Sequence, residues 1–230
     1  MRRPLLAVTV TLVLVAVVLV GGYLADGWAR NRAQAEIVDR AAAVLDDHEG
    51  LTAQVRGGLF LPQLARREVE RVDLAADSAT IDGTTLEDVR VRARDVDLGT
   101  PITAGDVVAD ARVPLAELQE QVDVATADSR LRLTLAVEDG RLVAAVEGVP
   151  VAAPLGLEPD GSGVRVTLTD VRVGPVTLDA AALAELLGRD EPALPVALPL
   201  QGLAVDRVEV VADGLRLHVS GRQVDLGAVG

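Results

Sequence analysis

The sequence contains no cysteine and no lysine, and its only aromatic residues are Tyr23, Trp28 and Phe60. Without cysteine the chain cannot form disulfides, thiolate nucleophiles, or zinc and iron–sulfur sites with Cys ligands. The two histidines, His48 and His218, are too few for a multi-histidine metal cluster. We therefore expect no metal site and no cofactor, and a core built from Val, Leu and Ala.

The balance of charge is strongly acidic, because 35 Asp and Glu residues outnumber 22 arginines and give a formal net charge of -13. A nucleic-acid partner needs a cationic surface, so this charge argues against nucleic-acid binding. It also argues against simple electrostatic adsorption to anionic lipid headgroups. The length of 230 residues is sufficient for one domain, or two small ones, with a buried core.

A long uncharged run extends from Pro4 to Ala25, and its Leu5–Val20 part consists almost wholly of Leu, Val, Ala and Thr. About 20 helical residues, at a rise of about 1.5 Å each, cross the hydrocarbon core of about 30 Å. The preceding Arg2 and Arg3 favour a cytoplasmic start and an outward carboxyl side. The run therefore predicts a transmembrane helix.

A cleaved signal peptide is the alternative interpretation of the same run. The apolar region of a signal peptide has about 7–15 residues, and this run is longer, which favours an uncleaved anchor. Both alternatives place the remaining chain outside the cytoplasm. We predict a single-pass protein of the cell membrane, in which residues 1–25 form the anchor, residues 5–25 contact the membrane, and residues 26–230 form one extracytoplasmic domain.

The stretch from Asp26 to Glu49 predicts a long amphipathic helix, since it lacks proline, is rich in Ala, Arg and Glu, and precedes Gly50. Its apolar residues fall near helical spacing, and we expect this stripe to pack on the domain. A helix on the membrane surface is less favoured, because one end of the helix is acidic. The stripe consists of Trp28, Ile37, Ala41, Val44 and Leu45.

Beyond Gly50 the hydrophobic period changes from 3.6 to 2, as where Val89, Val91 and Ala93 alternate with arginines. Similar alternation occurs over residues 130–135, 164–169 and 215–219, which predicts antiparallel strands with one buried face. Asp-Gly turn signals separate the strands, at residues 82–83, 139–140, 160–161 and 213–214.

The pair Asp139-Gly140 predicts a hairpin between Leu131–Val137 and Leu142–Val146. Two short helices are predicted as well, from Leu115 to Val124 and from Ala180 to Leu187.

Two apolar segments, Gly57–Leu64 and Ala193–Leu200, interrupt the strand pattern. Proline excludes a helix or a central strand from the second segment. Either the two segments cap the core, or they line or close a hydrophobic groove. The candidate lipid-binding residues at this groove or its rim are Phe60, Leu61, Leu64, Leu194, Val196, Leu198 and Leu200.

Catalysis has little support in the sequence. His218 and Ser220 lie two residues apart and could share one face of a strand, but no serine has the G-x-S-x-G surroundings of a nucleophile elbow. An exposed histidine on the polar face of a strand explains His218 better than a catalytic triad does. We therefore predict that the chain is not an enzyme.

Two stretches of the sequence, Val55–Asp77 and Leu194–Gly227, each contain a characteristic order of motifs, and through these motifs they resemble the LmeA-type family of actinobacterial envelope phospholipid-binding proteins. The first, VRGGLFLPQLARREVERVDLAAD at Val55–Asp77, has a strand, glycines, an aromatic-Leu step, a Gln-Leu pair and an alternating strand. The second, Leu194–Gly227, has a Leu-Pro step, two strands around Asp213-Gly214 and a final Gly-x-x-Val-x-Leu. Pro62 departs from the pattern, because the family tends to place its proline before the Phe-Leu step.

The resemblance implies an α+β fold similar to the elongated lipid-binding modules of the TULIP type. In such a fold the transmembrane helix is followed by a long amphipathic helix, which packs on a curved antiparallel β-sheet with two short helices around an apolar groove. The resemblance also implies that the partner is a phospholipid held by its acyl chains, and that the protein supports envelope lipid or lipoglycan biosynthesis. The alternative is a non-enzymatic scaffold domain that binds another envelope protein through its apolar loops.

Overall fold

A computed structural model describes most of the chain after residue 24. The described residues are 25–81, 83–127, 132–148, 151–161, 163–168, 170–173, 176–179, 193–194 and 202–226.

The described residues form two antiparallel sheets and three helices. The helices are α1 (residues 25–42), α2 (Phe60–Arg66) and α3 (Leu115–Ala125). The strands are β1 (Asp47–Glu49), β2 (Thr52–Arg56), β3 (Glu68–Ile81), β4 (Thr84–Asp97), β5 (Thr103–Pro114), β6 (Leu133–Glu138), β7 (Arg141–Val146), β8 (Val151–Asp160), β9 (Gly163–Leu168), β10 (Asp170–Val173), β11 (Val176–Asp179), β12 (Ala193–Leu194), β13 (Leu203–Val211) and β14 (Gly214–Asp225).

The first sheet has the order β3-β4-β5-β14-β13, and both β1 and β2 pair with the outer edge of β3. The predicted alternation on β4 is confirmed, because Val89 and Val91 are half-buried and Ala93 is buried, while the arginines between and after them are exposed. Asp88 and Asp95 have positive φ angles of 51° and 50°, and the register with β5 shifts between Glu87 and Arg90. Such irregularities bend a strand, which curves this sheet.

The second sheet has the order β11-β10-β8-β7-β6, which leaves β6 at one edge. β9 pairs with the carboxyl-terminal half of β8, and β12 pairs with β9. The predicted hairpin is confirmed, since Asp139 and Gly140 have φ angles of 49° and 71° and join β6 to β7. Two positive φ angles define the type I′ turn that Asp-Gly favours.

Two apolar clusters fill the described part of the molecule, one at the α1 end of the first sheet and one between the two sheets. Phe60 of α2, which is only 3% exposed, lies in the first-sheet cluster. Leu118 of α3 lies in the inter-sheet cluster, together with Leu135 of β6 and Leu217 of β14. The predicted aliphatic core is therefore confirmed.

The predicted helix from Asp26 to Glu49 is wrong at its carboxyl end. Helix α1 ends at residue 42, and Asp47–Glu49 pairs as edge strand β1 with Ser78–Thr80. A longer helix would place several carboxylates at the negative end of the helix dipole. In the structure the Asp46 carboxylate instead accepts a hydrogen bond from the N–H of Gly83 at 3.1 Å.

Helix α1 packs on the first sheet, as predicted, but not through the whole predicted stripe. Ala29, Ala33 and Ile37 contact the first-sheet cluster, whereas Trp28 is 73% exposed and Val44 lies beyond the helix. The spacing of the three packed residues places them on one helix face, from which Trp28 is turned away. The predicted stripe was therefore wrong for Trp28, and for Val44 and Leu45, which both lie beyond the helix.

Helix α2 replaces part of the segment that the sequence predicts to be an apolar loop. Pro62 occupies the third helical position after the N-cap Leu59, where a backbone N–H has no partner inside the helix. Proline therefore costs this helix no hydrogen bond. The predicted helix from Leu115 to Val124 is confirmed by α3.

Several predictions fall outside the described residues. These are the transmembrane helix before Ala25, the helix from Ala180 to Leu187, and the side chains of Val196, Leu198 and Leu200. Among the residues that are described, no helix has both the length and the apolar character needed to cross a membrane.

Candidate functional site

A surface cleft of about 580 Å³ lies between helix α3 and the edge strand β6. Ligand sites have volumes of about 300–1,000 Å³, so this cleft is large enough to hold part of an amphiphile. It is lined by Leu115, Ala116, Gln119, Asp123, Arg132, Leu133, Thr134, Leu135 and Glu147.

Helix α3 has two neighbouring faces, one that packs in the core and one that lines the cleft. Leu118 and Val122 contact the inter-sheet cluster, Ala116 and Gln119 line the cleft, and Leu115 at the start of the helix does both. Residues three or four apart share a helix face, so the sequence of α3 separates core contacts from cleft contacts. The helix can therefore be anchored in the core and still form one wall of an open cleft.

Gln119 joins α3 to the exposed edge of the second sheet. Its Nε2 donates to the carbonyl of Leu133 at 2.8 Å, and its Oε1 accepts from the N–H of Leu135 at 2.7 Å. Nε2 also donates to Oδ1 of Asp123 at 2.7 Å. The amide thus pairs with β6 as a neighbouring strand would, and it satisfies backbone groups that a sheet edge leaves unpaired.

The cleft combines an apolar floor with a charged rim. Leu135 is buried, and Leu115 and Leu133 are half-buried beside it. Arg132, Asp123 and Glu147 are exposed and bring one guanidinium and two carboxylates to the lining. Such a surface can hold a molecule that is apolar at one end and carries charge at the other.

The predicted lipid-binding residues do not line this cleft, so far as they are described. Phe60 lies in the first-sheet cluster, and Leu61 and Leu64 are exposed on α2, which is a separate part of the surface. Leu194 belongs to β12 and pairs with Val164 of β9.

Besides the cleft, the face of the first sheet turned away from the core carries a cluster of charged side chains. There the Asp73 carboxylate accepts two hydrogen bonds from Arg71, at 2.7 and 2.8 Å. Arg56 and Arg92 lie 2.7 and 3.6 Å from the same carboxylate. The hydrogen bonds from Arg71 lower the pKa of Asp73, and the positive charges of the three arginines add to this effect, against the opposing effect of burial.

His218 lies on the same face of the first sheet and does not form a catalytic triad. Its Nδ1 contacts the carboxylate of Asp110, and its Nε2 is 3.8 Å from Glu209. No hydrogen bond joins His218 to Ser220 among the described residues. The sequence interpretation of His218 as a histidine on a polar strand face fits this placement.

The sequence interpretation missed the residues that shape the cleft. Arg132 and Leu133 appeared in it only as part of an alternating strand, and Gln119 only as part of a helix. No local motif marks them, because the site is formed where α3 meets the edge of β6, which is a contact of tertiary structure.

The comparisons with known proteins identify the family. The profile of the LmeA-like phospholipid-binding family matches residues 24–220, which include α1, the cleft and most of both sheets. No curated protein and no solved structure matches the chain. This match covers most of the chain and agrees with the resemblance at Val55–Asp77, and the chain therefore belongs to the LmeA-like phospholipid-binding family.

Proposed function

We propose that this chain is a membrane-anchored, extracytoplasmic protein that binds a phospholipid without catalysing a reaction on it. The proposal is supported by the family, whose members are described as phospholipid-binding, and by the cleft between α3 and β6. In the proposal, residues 1–25 hold the protein in the cell membrane, residues 26–230 form one domain, and the bound lipid serves envelope lipid or lipoglycan biosynthesis.

The observation that carries the proposal is the pairing of apolar floor and charged rim in a single cleft. An acyl chain laid against Leu115, Leu133 and Leu135 gains about 0.8 kcal/mol for each CH₂ that leaves water. This contribution grows with chain length and scarcely distinguishes one headgroup from another. Selectivity for a headgroup must therefore come from the charged residues of the rim.

The charges of the rim favour a zwitterionic headgroup. Arg132 can donate charge-assisted hydrogen bonds to a phosphate, while Asp123 and Glu147 suit an ammonium group and repel a second negative charge. A phospholipid that carries both a phosphate and an amine matches this set better than a purely anionic one. Phosphatidylethanolamine is the common headgroup of this chemistry.

The candidate residues of the second apolar segment, Leu194, Val196, Leu198 and Leu200, are proposed as further contacts of the bound lipid. The support for this is that Leu194 pairs with Val164, whose side chain shares the inter-sheet cluster with Leu135 of the cleft. In the proposal, the domain has the elongated groove of a TULIP-like fold.

The proposal is tested by measuring the phospholipid that copurifies with the full chain in mild detergent, by native mass spectrometry and lipid extraction. The Arg132→Gln variant should retain at most about one tenth of the phospholipid that the wild type retains, because a hydrogen bond to a charged group is lost. Arg141→Gln is the matched control, because Arg141 is exposed on β7 and does not line the cleft.

Two results would count against the proposal. If the wild-type chain yields no phospholipid and takes none up from vesicles, phospholipid binding is wrong. If lipid is present but equal in Arg132→Gln and Arg141→Gln, the lipid lies elsewhere and the cleft is not its site.

A further inference from the structure

Four large apolar side chains are exposed where α1 begins and where α2 contacts it. Leu59, Leu61 and Leu64 of the α2 region are 57%, 39% and 44% exposed, and Trp28 of α1 is 73% exposed. We call these four residues the α1–α2 apolar surface. Three of the four belong to α2 and its N-cap, and Trp28 lies on the first turn of the helix that α2 contacts. Exposed apolar residues that lie near one another indicate an interaction site more strongly than scattered ones do.

The first turn of α1 is fixed to α2 by polar contacts. Oδ1 of Asp26, a residue only 6% exposed, accepts the N–H of Leu61 at 2.7 Å. Arg30 donates to the carbonyl of Gly58 at 2.6 Å, and it also lies 3.4 Å from Asp26. Since α2 has no side-chain cap of its own, Asp26 supplies one from a distant part of the sequence. The direction in which the chain enters α1 is therefore set relative to α2.

The apolar side chains lie on two sides of this first turn. Asp26 points toward α2, and Trp28 is two residues further on, about 200° around the helix. Trp28 thus projects on the side opposite α2, at nearly the same level along the α1 axis. A flat surface placed across the start of α1 can therefore contact Trp28 on one side of the helix and Leu61 on the other side.

The charge near this surface differs in sign from that of the chain. Residues 25–34 and 57–67 contain four arginines, Arg30, Arg32, Arg66 and Arg67, and only one carboxylate, Asp26. That carboxylate is buried and engaged by Leu61, so the exposed charges within both stretches are those of Arg32, Arg66 and Arg67. Two exposed carboxylates adjoin them, since Glu68 follows Arg67 and Glu70 lies beside Gly57 and Gly58. The chain as a whole carries a net charge of -13. This end of the domain therefore carries a larger share of positive charge than the remainder, and an anionic surface favours contact with this end.

We propose that the α1–α2 apolar surface docks onto the headgroup region of an anionic lipid bilayer. The inference rests on the membrane anchor of the proposed function, because the uncharged run of residues 4–25 ends directly at α1. Tryptophan concentrates at the membrane–water interface, and arginine pairs with lipid phosphate, so both residue types suit this position. Docking fixes the orientation of the domain, so that the domain is not a freely moving body on a tether.

The test uses the full chain, reconstituted into phosphatidylcholine vesicles with or without phosphatidylglycerol. Since the chain has no cysteine, a single Leu64→Cys variant can carry an environment-sensitive fluorophore on α2. Val124→Cys is the matched control, because Val124 is an equally apolar residue, 73% exposed on α3. Lipids brominated near the headgroup then report contact by quenching, and flotation of the vesicles reports anchoring separately.

We expect strong quenching at position 64 in phosphatidylglycerol vesicles and little at position 124. Adding Leu61→Gln should lower the ratio of docked to undocked domain by about threefold to tenfold, since the 39% of the leucine that is exposed no longer leaves water. Adding Arg32→Glu and Arg66→Glu should reduce quenching to the level found without phosphatidylglycerol. Unchanged thermal unfolding of these variants shows that the fold is intact.

Each contrary outcome is decisive. A chain that floats with the vesicles but shows equal, low quenching at positions 64 and 124 overturns docking, and it leaves the α1–α2 apolar surface to a protein partner. A chain that does not float overturns the anchor and the docking together. Copurified phospholipid in the same preparation shows whether the proposed lipid binding survives either failure.

Discussion

Gln119 gives the most direct test of how the cleft is built. Its amide makes one hydrogen bond to the carbonyl of Leu133 and one to the N–H of Leu135, at 2.8 and 2.7 Å. Gln119→Leu removes both bonds, together with the exposed hydrogen bond to Asp123, which contributes little, and keeps a side chain of similar size. At about 1 kcal/mol for each net hydrogen bond, the free energy of unfolding should fall by about 2 kcal/mol. For a domain of this size that corresponds to a decrease of roughly 4–8 °C in Tm.

Gln119→Glu separates the donor from the acceptor. The carboxylate can still accept from the N–H of Leu135, but it places a negative oxygen against the carbonyl of Leu133 and the carboxylate of Asp123. We expect a loss of stability at neutral pH at least as large as for Gln119→Leu, because repulsion is added to the lost hydrogen bond.

The control for both variants is Gln121→Leu on the same helix. Gln121 makes one longer hydrogen bond, 3.3 Å, to the hydroxyl of Thr84, and its loss should cost less than about 1 kcal/mol. Thermal unfolding of the full chain in detergent, followed by circular dichroism, compares the three variants. Equal Tm values for Gln119→Leu and Gln121→Leu would refute the reasoning, since water would then satisfy the edge of β6 as well as Gln119 does.

Three further predictions concern the fold. The arginines around Asp73 lower the pKa of its carboxyl in the folded state, so the stabilisation is complete above the pKa of the unfolded chain and is lost as pH falls below about 4. In urea titrations Asp73→Asn should therefore lose less stability on acidification than the wild type, and an equal loss of stability in both would contradict this. Phe60→Ala should lower the free energy of unfolding by about 3–5 kcal/mol because the ring is buried, whereas exposed Leu64→Ala should change it by less than about 0.5 kcal/mol, and similar urea midpoints would place Phe60 outside the core. Gly214→Ala brings a Cβ into collision with backbone atoms of β5 and should sharply reduce the yield of folded protein. In Gly140→Ala the new Cβ meets open space, so the free energy of unfolding should fall by only about 1 kcal/mol, and equal yields of the two variants would show that the backbone at Gly214 adapts.

The strands could be predicted from the sequence because their determinants are local. Alternating residues on β4 and the Asp139-Gly140 turn each specify their structure within a few neighbours, and both predictions are confirmed. Leu115–Ala125 has the same local character, since it follows Pro114 and presents a regular apolar face. The aliphatic core follows from these patterns without knowledge of the topology.

The wrong predictions share a dependence on distant partners. Helix α2 contains Pro62 and lacks a local cap, and it is completed by Asp26, which lies more than thirty residues away in the sequence. Likewise, Asp47–Glu49 forms a strand because the edge of β3 is available for pairing, although local composition favours continuing α1. Tertiary contacts of this kind override helix propensity.

The position of the cleft follows from which groups each helix presents to its sheet. Helix α1 contacts the cluster that contains Phe60 through the apolar side chains of Ala29, Ala33 and Ile37. Helix α3 instead meets the edge of β6 through the amide of Gln119, which hydrogen-bonds the backbone of Leu133 and Leu135. Apolar side chains close an interface by packing against one another, whereas an amide that bonds a sheet edge leaves the leucines beside it, Leu115 and Leu133, only half-buried. The aliphatic surface that remains open to an acyl chain is therefore expected at α3 and not at the longer α1.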